Sequence, residues 1–191
     1  TNAVSITVVQ WQGWTNIAGG NWSDAASWVG GASPGAGGAA DYLLVFNTNV
    51  YSGNSTNNWG GTFQLNRLIF GSNVPALTLV SNALAFGNHA VALPLVIQSG
   101  ANAHTIGNAL ALADNTTFGG SGVGKITLAG VVSSSGSLIK TNSGTLTLSA
   151  VNTYSGGTMV LAGTLNPHGN GSGASRTYFG TGAVTLASGT V

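Results

Sequence analysis

The side chains able to do acid–base or metal chemistry are few and scattered. The carboxylates are Asp24, Asp41 and Asp114, and the chain has no glutamate. Glycoside cleavage needs two carboxylates flanking one bond, and only the fold could bring two of these three together. His89, His104 and His168 show no i, i+4 spacing and no acidic neighbours, so they are expected as polar loop residues rather than zinc ligands. No Asp-rich calcium loop is present. Residues 119–126 come within one position of the phosphate-loop pattern Gly-x-x-x-x-Gly-Lys-[Ser/Thr]. Ile126 stands where the hydroxyl is needed and no helix pattern follows, so the stretch reads as a glycine-rich corner before a strand. Serine is plentiful, but no Gly-x-Ser-x-Gly elbow has a strand-then-helix context. Sequons at Asn21, Asn54, Asn115 and Asn170 accept glycans only where the machinery exists. The expectation is a protein that is not an enzyme and uses no cofactor or metal.

What must position these residues is a surface almost without charge. Charged residues are 4% of the 191-residue chain, against roughly 25% in ordinary soluble domains. They are Asp24, Asp41, Arg67, Asp114, Lys125, Lys140 and Arg176, with net charge +1, so no basic stripe exists for nucleic acid. Hydrophobic residues are 43%, enough for a continuous core, and the absence of cysteine leaves packing and backbone ladders to hold it. Low repulsion between copies favours association. No apolar run nears the ~20 residues of a membrane helix, so no membrane insertion is expected of this chain. No leader opens the chain at Thr1 and no export barrel follows, as expected of a processed chain that does not export itself.

The elements are short strands. Val4, Ile6 and Val8 alternate with Ser5 and Thr7 in a half-buried pattern over residues 1–10. That segment is expected either to pair locally or to add to a neighbouring subunit as an arm. Residues 11–62 form a Trp/Gly-rich segment with Trp11, Trp14, Trp22 and Trp28 within 18 positions. Asp24 is placed to cap one helical turn from Ala25 to Trp28. Bulky indoles on glycine-rich backbone suit a cap over an open core; a platform for stacking sugars is the alternative. From residue 63 onward strand-like runs recur at 63–70, 77–80, 83–86, 91–98, 105–106, 109–112, 116–118 and 125–132. Lys125-Ile126-Thr127-Leu128 and Thr145-Leu146-Thr147-Leu148 lie 20 residues apart. Coils of that length over 63–191 predict about six rungs and a rod near 30 Å long. Almost no helix is expected. Asparagine recurs beside the runs, at 66, 73, 82, 88, 102, 108, 115, 142 and 152. It suits corners by tolerating positive φ or by bonding backbone through its amide. A glycine-rich loop is expected over 166–182, followed by a last strand through Val184, Leu186 and Val191.

The stretch 137–165 carries three short apolar runs separated by turn residues, too short to hold a core unless coils stack. Leu138, Lys140, Gly144, Thr145, Leu146, Leu148, Asn152, Thr153, Tyr154, Gly156, Gly157, Thr158, Val160, Gly163, Thr164 and Leu165 together closely resemble the autotransporter-associated β-strand repeat. Asn142 stands where that pattern has glycine, a residue that also tolerates positive φ. The resemblance covers about a seventh of the chain. It implies a right-handed parallel β-helix in a secreted or surface-displayed bacterial protein. Trp22-x-x-Ala25-x-x-Trp28, Pro34-Gly35 and Asp41 to Phe46 resemble a segment at the start of such repeat proteins.

The combined expectation is all-β: a parallel β-solenoid with an N-terminal Trp/Gly-rich cap, the solenoid proper spanning 63–191. Its expected role is an extracellular subunit stacking head to tail with itself, Val4, Ile6, Val8, Val184, Leu186 and Val191 forming the junction. The alternatives are a surface adhesin or passenger fragment binding through loops 47–61 and 166–182, and a carbohydrate-binding module for surface glycans using Trp11, Trp14, Trp22, Trp28 or Trp59.

Overall fold

Three- to five-residue strands of Leu, Ile, Val and Thr cannot bury a core as hairpins; here each becomes one side of a coil, and coils stack. The structure is a computed structural model, and it describes residues 9–90, 92–167 and 177–187. Val4, Ile6, Val8 and Val191 lie outside the described residues.

Among the described residues nineteen strands form three parallel sheets. Sheet I holds β1 (Gln10–Trp14), β3 (Tyr42–Phe46), β6 (Arg67–Phe70), β9 (Leu95–Gln98), β12 (Thr116–Gly119), β15 (Leu138–Lys140), β17 (Thr158–Val160) and β19 (Val184–Leu186) in that order. Sheet II runs β2 (Gly20–Asn21), β4 (Ser55–Asn57), β7 (Leu77–Ser81), β10 (His104–Ile106), β13 (Ile126–Leu128), β16 (Thr145–Leu148) and β18 (Thr164–Pro167). Sheet III is shorter, with β5 (Phe63–Leu65), β8 (Leu84–Phe86), β11 (Leu110–Leu112) and β14 (Val132–Ser133). The molecule is therefore a β-solenoid. Sheet I has six strands after residue 63, matching the expected rung number. Ile126 pairs with Leu146 in register, so the 20-residue spacing is a true rung. The only helical turns among the described residues are 3₁₀, Ala25–Ser27 and Val29–Gly31. Among the described residues no helix is long and apolar enough to cross a membrane.

Alternation sends every second residue inward. On sheet I, Leu44, Leu68, Val96, Phe118, Lys140, Val160 and Leu186 stack in one inward column. On sheet II, Thr78, Thr105, Thr127 and Thr147 form an outward threonine column. Strands also come from the segment expected as a cap: β1 and β3 lead sheet I, and β2 and β4 lead sheet II.

Two apolar runs are longer in the sequence than the strands they make. Run 63–70 splits at buried Asn66 into β5 and β6, and run 125–132 splits at 129–131 into β13 and β14. A coil must turn there, and hydrophobicity does not mark the corner.

Candidate functional site

The tryptophans segregate. Trp14, Trp22 and Trp28 are buried. Trp28 meets Trp14 edge to face at 5.0 Å and Trp22 at 6.0 Å, and Trp22 meets Phe63 at 5.1 Å. Their indole N–H groups donate to Asn16 O, Ser55 Oγ and Trp22 O, so nothing polar in the cluster is stranded. The Asp24 carboxylate accepts from Ala26 N at the start of the 3₁₀ turn that sets Trp28 in place. The three rings thus pack against strands that lead the three sheets. Trp11 is not among them: it faces outward, 49% exposed. Three of the five indoles expected as possible sugar platforms are therefore core residues.

The last described rung is β19. Val184 pairs with Thr158 and Leu186 with Val160, both partners buried, yet Val184 is 49% and Leu186 60% exposed. These two side chains hold core positions, and no described residue stacks over them.

The carboxylates stay apart in role. Asp41 accepts from Gln10 Nε2 at 2.9 Å, and Asp114 accepts from Asn88 N at 2.8 Å. Among the described residues no group of three His, Cys, Asp or Glu could hold a metal. The glycine-rich stretch 119–126 is the corner from β12 to β13. There a β-carbon at Gly122 would lie 2.3 Å from Gly100 O on the rung before it.

One histidine departs from expectation. His104 is a buried strand residue of β10, not a loop residue. Its ring stacks on Phe70 at 4.3 Å and 8°, extending the stack of Phe46 on Phe70. Neither ring nitrogen has a hydrogen-bond partner, and burial pushes its pKa down to about 4. The surrounding pattern of His-Thr-Ile already has strand alternation, which was the available signal.

The repeat-like stretch supplies the most connected polar groups. Lys140 takes a core position between Phe118 and Val160. Its ammonium donates to Asn142 O and Asn142 Oδ1 at the corner after β15 and to Ala162 O at the corner after β17, and desolvation lowers its pKa to about 8. Asn142 in turn donates to Gly122 O at 3.0 Å. It does not adopt positive φ; among the described residues the non-glycine residues that do are Ser81, Ala90 and Ser134. Asparagine was chosen here for its amide, not its backbone. Asn152 accepts from Val132 N and donates to Tyr178 O, tying three successive rungs. The Tyr154 hydroxyl meets Thr158 Oγ1 at 2.5 Å, Thr158 donates to Phe179 O, and burial raises the phenol pKa. Each of these residues serves stacking between rungs, not a substrate.

A family model described as passenger-associated-transport-repeat matches residues 138–166, the stretch just described. Comparison with curated proteins and with solved structures gives no match.

Proposed function

We propose that this chain is a passenger-type solenoid working outside the cell, and that copies continue one another's rungs head to tail into a filament. The observation that carries the reading is the exposure of Val184 and Leu186 at core positions of the last described rung. The repeat match over 138–166 supports a secreted or surface passenger. The surface has 4% charged residues and offers little to keep copies apart. Four Lys and Arg residues speak against nucleic acid as a partner.

Covering Val184 and Leu186 contributes about 1.5–3 kcal/mol, half of what fully burying two such side chains yields. Association itself costs at least about 4 kcal/mol. The apolar contact is thus insufficient alone, and strand pairing across the junction must supply the rest at ~1 kcal/mol per bond. Val4, Ile6 and Val8 are the chain's own candidates to provide that strand.

Sedimentation velocity tests the reading. Wild type is expected to form concentration-dependent polymers, and L186D to sediment as a monomer with an unchanged β-sheet spectrum. A wild-type chain that is monomeric at every concentration would refute self-assembly and leave the surface-passenger role, its last rung covered by another partner.

A further inference from the structure

The outer face of β1 carries one exposed indole on a built platform. Trp11 and Gly13 are two residues apart on the same strand and so share a face. A β-carbon at Gly13 would lie 2.5 Å from Trp11 Cη2 and 2.9 Å from Val29 Cγ2. The missing side chain therefore lets the indole lie flat along the strand. Val45, paired with Gly13, and Val29 wall the resulting groove, whose volume is about 250 Å³. Thr15, Asn47 and Thr48 stand at its rim, and no charged side chain lines it. The side chains of these three have no hydrogen-bond partner among the described residues.

We infer that this groove is a subsite for a neutral pyranose ring. A sugar offers an apolar C–H face and a rim of hydroxyls; the indole matches the first, and the threonine hydroxyls and Asn47 amide match the second. The volume lies below the ~300 Å³ at which drug-sized sites begin, which suits one ring and not an extended ligand. A carboxylated sugar would bury its charge with no counter-charge. β1 and β19 are opposite ends of sheet I, which a head-to-tail junction would bring together, but Trp11 faces out from the sheet and not along its stacking axis. Sugar binding therefore goes beyond the filament reading and is read separately from self-association.

The test titrates the full chain with hexasaccharides of glucose, mannose and N-acetylglucosamine, and with hexagalacturonate as the anionic comparison, by calorimetry and tryptophan fluorescence. At least one neutral hexasaccharide is expected to bind with Kd of order 1 mM. W11A and G13V are each expected to weaken it roughly tenfold or more, W11A without change in melting temperature and G13V with an unchanged β-sheet spectrum, while W59F binds as wild type. G13V keeps the indole but tilts it, so its loss of binding reports the platform and not the mere presence of tryptophan. Absence of binding to every neutral sugar would overturn the inference. So would unchanged binding in both variants, tighter binding of hexagalacturonate, or a W11A chain that loses self-association but not sugar.

Discussion

His104 and Lys140 are ionisable side chains in positions that an apolar residue would fill. His104 stacks on Phe70 with both nitrogens unpartnered, and its pKa falls to about 4 from an ordinary 6.5. The unfolded chain protonates at the ordinary value while the folded chain resists until the lowered one. Stability is thus whole above pH 6.5 and declines as pH falls from there toward 4. H104F, which keeps the ring stack and removes the unpartnered nitrogens, is expected to gain about 1–3 kcal/mol at pH 7. In denaturant titrations at pH 7 and pH 5 its advantage should be larger at pH 5. An equal advantage at both would show that His104 does not titrate in this window. Lys140 differs because its ammonium is satisfied by three oxygens, two on its own corner and one on the corner of the next rung. Its lowered pKa of about 8 means that it, too, favours the fold less once its unfolded form can protonate below pH 10.5. The hydropathy of His104 and Lys140 pointed outward, but their places in the strand alternation pointed inward, and alternation won.

At the scale of elements, the solenoid is made by its corners. Between sheets II and III, Asn57 donates to Asn82 O and Ala83 O, Asn82 to Asn57 O and Trp59 O, and Asn108 to Val80 O and Asn82 O. These amides satisfy carbonyls that the turning backbone leaves outside the sheets. On the rung after Asn108 glycine takes over, because a β-carbon at Gly130 would lie 2.2 Å from Asn108 O. N108A is expected to lose about 1–2 kcal/mol by removing the amide bonds to Val80 O and Asn82 O, the second of which keeps its bond from Asn57, measured as a lower denaturation midpoint with unchanged slope. A loss below a few tenths would mean that water replaces the amide without penalty. The strands themselves were legible: Ile126–Leu128 and Thr145–Leu148 announce their register by composition and spacing alone. The corners were not, because Asn66 and 129–131 interrupt runs whose hydrophobicity continues across the turn. Nor did composition separate Trp11 from Trp14, Trp22 and Trp28. That distinction rests on strand phase, which places Trp14 inward beside Phe46 and Trp11 outward.

For the whole molecule, parallel rungs at a spacing of roughly 4.8 Å carry both the stability and the proposed assembly. Aromatic packing of Trp14, Trp22 and Trp28 closes the core beside the first strands, whereas Val184 and Leu186 leave the last described rung uncovered. The first described rung is thus backed by packed rings and the last described rung leaves two core side chains uncovered, an asymmetry that suits a heterologous junction and not a two-fold one. The threonine column of sheet II from β7 to β16 and the scarcity of charge leave that flank with little to repel another copy. The most direct measurement is cryo-electron microscopy of the concentrated chain with a power spectrum of any filaments. Head-to-tail continuation predicts a layer line at roughly 4.8 Å along the filament axis, with rungs uninterrupted across each junction. Single particles of monomer size at all concentrations, or filaments whose strand spacing runs across the axis, would contradict it.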